Sequence, residues 1–405
     1  MFLGIVINYM DRVNISHAIL FIKQDLNLNP IQQGIILSSF SWGYVLFMPL
    51  GGYLADKKGS RIIASLSCAG WSFFTIIGTL AGNFNNFLIT RIGVGMTEAP
   101  IFPSNAKVVR SWFPKNERGL ATALFDSGSY VGSALAAPLI IMLMVTFGWK
   151  VGFAIFGVIG LVWSLVWYAY YREPEEFKNL SQAEKKIIPM EENVSQKNIK
   201  INWQKLILNR KILSISFGFF CYNYLKNFFL TWFPTYLATE RGFGIIKIGF
   251  VAILPPLMAI FGELLTGYWT DKMITKGVNI NIARKLPLCL GLLISSVITL
   301  SVFVQNEFLA VLLLTISYTA LISASTGIWA IPGDISKTKH TVGTIGGIQN
   351  TFSNIAGIIA PILTGYLVQT TGSFVIPIVL SGVLTIFGAM SYWYGLGDLN
   401  EKIEL

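Results

Sequence analysis

Asp11 and Arg12 are adjacent in "INYMDRVNIS", and Arg91 and Glu98 lie seven residues apart in "RIGVGMTEAP", each stretch being otherwise largely apolar. Seven residues make two helical turns, so Arg91 and Glu98 share one face. An ionised side chain at a bilayer centre costs at least about 2.5–3.5 kcal/mol, so such residues are paired, face a polar cavity, or both. Burial and a neighbouring arginine act oppositely on a carboxyl's hold on its proton, so an anion that occupies the arginine changes proton binding. Arginine suits a carboxylate because its planar fork meets both oxygens. Asp11 and Glu98 are therefore the candidate proton carriers and Arg12 and Arg91 the candidate anion ligands, with Arg12 also expected to balance the charge of Asp11. The same four residues also fit a second reading, a buried ion-pair network that locks two helices.

The later part of the chain offers fewer charges and more amides. Tyr222 and Lys226, four apart in "FCYNYLKNFFLTWFPTYL", share a helix face and could line one cavity. Lys226 fits a substrate or counter-ion role, or a side chain that reaches for the membrane interface. Gln349, Asn350 and Asn354 suit sugar hydroxyls, and equally suit bonds between helices. Asp56, Gly59 and Arg61 in "GYLADKKGSR", with Asp271 in "GYWTDKMITKG", are candidate gating residues or ordinary turn residues. Asp126 and Glu263 read as local salt-bridge partners. His17 and His340 stand near span ends away from any cluster, and no metal site is expected.

These residues need helices to hold them. The 405 residues are 53% hydrophobic and 12% charged, with a mean hydropathy of +0.61, far from a soluble domain. Twelve apolar runs are long enough to cross a bilayer: 1–22, 33–55, 61–81, 84–107, 118–145, 149–171, 210–238, 244–271, 284–304, 306–332, 340–369 and 372–396. The expected fold is an all-α membrane protein of twelve transmembrane helices in two pseudo-symmetric six-helix halves. The halves are 1–171 and 210–396, joined by a polar linker at 172–209 and followed by a tail at 397–405. Asp56 and Asp271 occupy matching loops, and Ala137-Pro138 is echoed by Ala360-Pro361. Such repeats place substrate between the halves near the midplane.

The net charge of +10 does not imply a nucleic-acid partner, because 23 of the 30 lysines and arginines fall in alternate loops and the tail. That bias places both termini in the cytoplasm. Met1 falls almost inside the first span, an expectation that part of a lead-in precedes it; residues 1–10 do not read as a secretory signal. Cys68, Cys221 and Cys289 lie in spans and read as small packing residues. Phosphate-loop, HExxH and nucleophile-elbow motifs are absent, so no enzyme is expected.

The "GYLADKKGSR" loop and the twelve spans resemble the major facilitator superfamily. Within it, "NYMDRVNIS", "SFSWGYVLFMPLGGYLADKKGSR", "RIGVGMTEAPIFPSNAKVVRSWFPKNERG", "LTWFPTYL" and "GGIQNTFSNIAGIIAPILTG" resemble the anion:cation symporter family. That family includes bacterial galactonate, hexuronate and glucarate permeases and animal vesicular glutamate and sialic acid transporters. The resemblance implies proton coupling at Asp11 and Glu98, a substrate carboxylate at Arg91 with Arg12 nearby, and a cavity lined by Tyr44 and the span 11 amides. Lys226 and Asp126 depart from the family's usual uncharged residue and Asn.

The function expected is proton-coupled symport of an organic anion, most readily a sugar acid, by alternating access in the plasma membrane of a bacterium. The partners expected are that anion, protons and the lipid bilayer; the chain is expected to work as a monomer without a cofactor, using the proton gradient. The competing readings are an organophosphate or dicarboxylate exchanger and, more remotely, a non-transporting membrane sensor.

Overall fold

A computed structural model describes residues 1–114, 117–176, 206–337 and 339–403. The linker expected at 172–209 thus lies mostly outside the described residues. The first helices are α1 (Phe2–Asp25), α2 (Pro30–Lys58), α3 (Ser60–Gly78), α4 (Phe84–Glu98), α5 (Ile101–Trp112), α6 (Arg118–Phe147) and α7 (Trp149–Tyr170). The later ones are α8 (Arg210–Thr231), α9 (Phe233–Thr239), α10 (Ile245–Val251), α11 (Leu254–Thr275), α12 (Ile280–Ser295), α13 (Ile298–Ser301), α14 (Glu307–Ile335), α15 (Lys339–Thr371) and α16 (Val375–Met390). A π-helical turn at Ser391–Gly395 follows, and among the described residues there is no strand beyond one bridge, Ser336 with Ile403.

Among the described residues, nine helical segments are apolar and long enough to cross a membrane. The expected spans missing from that set are the first, fourth and seventh. The first carries Asn8, Asp11, Arg12, Asn14 and His17, which lower its hydropathy. The fourth is split into α4 and α5 at Ala99-Pro100, because Pro100 has no N–H to donate to Met96. The seventh breaks into α8 and α9 at Trp232, just before Pro234. The eighth is likewise α10 plus α11, with Pro255 and Pro256 opening the second piece.

The chain divides into two compact units, Met1–Leu28 with Ile35–Asn198, and Asn29–Gly34 with Ile199–Leu405. In the first unit α1 packs on α6, and α3 packs on α4 and α7. In the second α8 packs on α15 and α16, while α14 packs on α11 and α12. The pairing of α1 with α6 is repeated by that of α8 with α15. Glycine permits the closest helix approaches: a Cβ on Gly95 of α4 would lie 2.0 Å from the Phe40 carbonyl oxygen of α2, and one on Gly43 would lie 2.2 Å from that of Ile92.

The C-terminal segment is built into the second unit. Leu396, Leu399 and Ile403 are buried. Lys211 donates to the Asp398 and Glu401 carbonyls at 2.5 and 2.6 Å, Lys285 donates to Gly397 O, and Ile403 N donates 2.9 Å to Ile335 O.

Candidate functional site

In the first unit the two acids and two arginines are all drawn inside. Asp11 and Arg91 are each 2% exposed and Glu98 is fully buried. Arg12 pairs with Glu98, Nε to Oε1 at 3.2 Å, joining α1 to α4. Successive helix residues project about 100° apart, so Asp11 faces elsewhere; its Oδ2 accepts 2.8 Å from Thr75 Oγ1 on α3. The expectation that Arg12 balances Asp11 is therefore corrected: its ion-pair partner is Glu98.

The Arg12 guanidinium is enclosed by rings whose centroids lie 4.4 Å (Phe40), 5.0 Å (Tyr44) and 5.3 Å (Tyr9) away. Phe40 and Tyr44 stack at 5.4 Å on α2, which the Gly43 and Gly95 contacts hold against α4. Such a cage favours a cation through the ring quadrupoles. Arg91, two turns before Glu98, has Nε and Nη1 buried without a hydrogen-bond partner, and Asp11 Oδ1 is likewise unpartnered. Buried donors of this kind carry a desolvation penalty that an incoming acceptor relieves.

Three contributors escaped the sequence reading. Asn8 and Asn14 are fully buried on α1, one turn to either side of Asp11, with amide atoms lacking partners. Thr75 is the third. The i, i+3, i+6 spacing of Asn8, Asp11 and Asn14 was the available signal; nothing in sequence pointed to Thr75. His17 also proves to be buried within α1, which continues for eight more residues, and its Nδ1 lies 3.3 Å from Val13 O and from Ser16 Oγ.

In the second unit Tyr222 is buried on α8, and Lys226 Nζ lies 6.0 Å from its ring centroid. Gln349 is fully buried, and its Nε2 donates 3.2 Å to Ile328 O of α14, while its Oε1 has no partner. Asn354 Nδ2 donates 2.8 Å to Asn350 O and 3.3 Å to Asn350 Oδ1. Asn223, one residue after Tyr222, donates 2.7 Å to Ser353 O and ties α8 to α15. Gln349 thus makes a bond between helices, and Asn350 and Asn354 make one along a helix.

The candidate gating residues are dispersed. Gly59 has φ +83°, a left-handed value that suits glycine, and separates α2 from α3. Ser60 N donates 2.6 Å to Glu173 Oε1; Arg61 Nε donates 2.9 Å to Tyr168 O and Nη1 lies 3.6 Å from Glu176 Oε2. Asp56 is exposed, and its carbonyl accepts from Lys107 Nζ at 3.0 Å. Asp271 is exposed near the end of α11, where its carbonyl accepts 2.5 Å from Thr275 Oγ1. The salt-bridge reading of Glu263 is corrected: it makes no ion pair among the described residues and accepts 2.7 Å from Ser325 Oγ. Ion pairs among the described residues of the second unit include Arg284 with Asp334, at 3.0 Å, and Lys211 with Glu401, at 3.4 Å.

Residues 1–361 match the Major Facilitator Superfamily. The chain belongs to that superfamily. It is 34% identical to a probable galactarate/D-glucarate transporter of Bacillus subtilis over 100% of this chain and 92% of that protein. It is 32% identical to the D-galactonate transporter of Escherichia coli O6:H1 (99% and 95% covered) and 35% to the hexuronate transporter of Bacillus subtilis (96% and 92%). The fold is similar to that of a bacterial homologue of the human lysosomal transporter Spinster, with a TM-score of 0.81 at 16% identity, covering 99% and 97% of the two chains. It is also similar to the D-xylose-proton symporter, with a TM-score of 0.76 at 16% identity, covering 99% and 98%. As a superfamily member the chain is a multi-pass membrane protein with the twelve-helix architecture, and its interrupted fourth and seventh spans are parts of that set.

Proposed function

We propose that this protein is a secondary active transporter that couples the uptake of a sugar acid to protons. The observation that carries the reading is the group of buried Asp11, Arg91 and Glu98 with half-buried Arg12, in which Arg91 keeps two guanidinium nitrogens unpartnered. Two arginines and two acids inside one membrane unit supply anion ligands and proton acceptors within a few helical turns. The relatives named for galactarate, glucarate, galactonate and hexuronate support a sugar acid as the substrate class.

In this reading a substrate carboxylate is held by Arg91 with Arg12 nearby, and Tyr44 closes the cage around Arg12. Asp11 and Glu98 take up protons from one side and give them up on the other as access alternates. Tyr222, Lys226, Gln349, Asn350 and Asn354 contribute the second unit's contacts to hydroxyls or to a second carboxylate. Asp56, Gly59, Arg61 and Asp271 act at the loops that change with each half-cycle. The protein works as a monomer in the bacterial inner membrane with both termini cytoplasmic, without a cofactor; the division into two six-helix halves follows the sequence repeat.

The test is uptake into proteoliposomes of galactonate, glucuronate, glucarate, tartrate and an organophosphate, with an inward proton gradient imposed or collapsed. Accumulation of one sugar acid that vanishes with the gradient is expected. Accumulation indifferent to the gradient but dependent on internal anion would replace symport by exchange.

A further inference from the structure

Glu263 is a second place where the chain carries an acid inside the membrane. It sits about 13 Å along α11 from Leu254 and about 18 Å from the helix end at Thr275. The crossing there is close, since a Cβ on the preceding Gly262 would lie 2.6 Å from both Ser323 Oγ and Thr319 Cγ2 of α14. Ser325 Oγ, on the same helix, donates 2.7 Å to Glu263 Oε1.

Among the described residues no cation is ion-paired with this carboxylate. Between Glu307 and Asp334, α14 has no charged residue, and its one tyrosine, Tyr318, packs against Phe229 at 4.8 Å. The third packed helix, α12, brings Arg284 and Lys285 only in its first turns, where Arg284 pairs with Asp334 and Lys285 donates to Gly397 O. Its Cys289 Sγ is directed at Ala389 O, 3.5 Å away. On α11 itself the other titratable residues are Tyr268, Asp271 and Lys272, all exposed and at least one turn further on.

A hydroxyl partner differs from an arginine in a way that bears on function. Ser325 can donate to the carboxylate, and after a small rotation of its O–H it can accept from the carboxylic acid. Both protonation states are satisfied without moving either helix, whereas an arginine satisfies only the ionised one. Toward the starts of both helices α11 and α14 leave an apolar groove of about 460 Å³ lined by Leu254, Met258, Phe308, Val311 and Thr319, of which Leu254, Met258 and Phe308 are exposed.

We propose that Glu263, partnered by Ser325, is a proton-carrying site of the second unit, additional to the acids of the first. This rests on the symport reading and adds to it a stoichiometry. On loading, an O–H bond forms between the Glu263 carboxylate and a proton from one aqueous phase; on release that bond breaks and the proton passes to the other phase. One further positive charge per cycle makes uptake more steeply dependent on the membrane potential.

The experiment measures the proton-to-substrate ratio in proteoliposomes from the reversal of flux under opposed pH and substrate gradients. It compares the parent with Glu263→Gln and Ser325→Ala. Glu263→Gln should lower the ratio by one proton, while Ser325→Ala should keep the parent ratio and shift the pH midpoint of uptake. An unchanged ratio in Glu263→Gln overturns the inference and leaves symport standing; a parent that moves no protons overturns both. Infrared difference spectra of the purified protein across pH give a readout independent of flux. A protonated-carboxyl band lost in Glu263→Gln supports the site, and identical spectra refute it.

Discussion

Arg12 and Glu98, eighty-six positions apart in sequence, meet Nε to Oε1 at 3.2 Å in the interior of the first unit, with Arg12 framed by Phe40, Tyr44 and Tyr9. Glu98→Gln removes the counter-charge and the titratable group together. Net accumulation should be lost while counterflow of labelled substrate survives; equal accumulation would argue against Glu98 as a proton carrier. Arg12→Lys keeps the charge but loses the planar stack, which should lower kcat/KM by roughly 2- to 30-fold.

Thr75 Oγ1 donates 2.8 Å to Asp11 Oδ2. Thr75→Val leaves the oxygen buried and should cost about 1–3 kcal/mol, read as a lower Tm in detergent. Thr75→Ser should restore most of it. Combined with Asp11→Asn, the losses should not add, because both changes act on one interaction.

Gly95 lets α4 touch the α2 backbone, so Gly95→Ala would drive a methyl to within 2.0 Å of Phe40 O. Overpacking of this kind costs about 1–3 kcal/mol, and here it would also displace the aromatic cage around Arg12. Reduced Tm together with raised KM is expected. Gly52→Ala, whose Cβ would meet nothing within 4 Å, is the control and should be neutral.

Glu173 holds the amide of Ser60 at 2.6 Å and the hydroxyl of Tyr171 at 2.9 Å, bracing the α2–α3 turn. Glu173→Ala should lower kcat several-fold with KM little changed, whereas Glu173→Gln, which keeps an acceptor, should be milder. Gly59→Ala, at φ +83°, should cost about 1–2 kcal/mol in stability through its left-handed backbone.

The C-terminal clasp has a definite pH dependence. Asn281 Nδ2 donates 2.6 Å to Asp398 Oδ1, and with Asn400 N at 2.9 Å it holds that carboxyl below the usual range. A depressed carboxyl contributes fully above its ordinary range and loses that contribution only as pH falls through the depressed value. Amide exchange at Leu399 and Ile403, corrected for intrinsic rates, should therefore be equally slow at pH 7 and 5 and rise only in stronger acid. Asp398→Asn should loosen the segment at all three.

Much of the architecture was legible because it follows from local composition. Runs of apolar residues long enough for a bilayer announced the helices, and the intramembrane acids and arginines stood out by their cost in lipid. The breaks in the fourth and seventh spans were harder to place, although Pro100 and Pro234 mark them. Partner choice was not legible. Adjacency suggested Asp11 for Arg12, but the turn of the helix sends the two side chains in different directions.

Sequence alone determined that the chain spans a membrane many times and that acids and arginines stand within otherwise apolar spans. Tertiary structure decided which charge meets which: Arg12 with Glu98, Asp11 with Thr75, Glu263 with Ser325, and Gln349 with the backbone of Ile328. The physical reason is that depth and apolarity are set by each segment's own residues, whereas hydrogen bonds and ion pairs depend on distances of about 3 Å between helices far apart in sequence. Those distances exist only once the helices have packed.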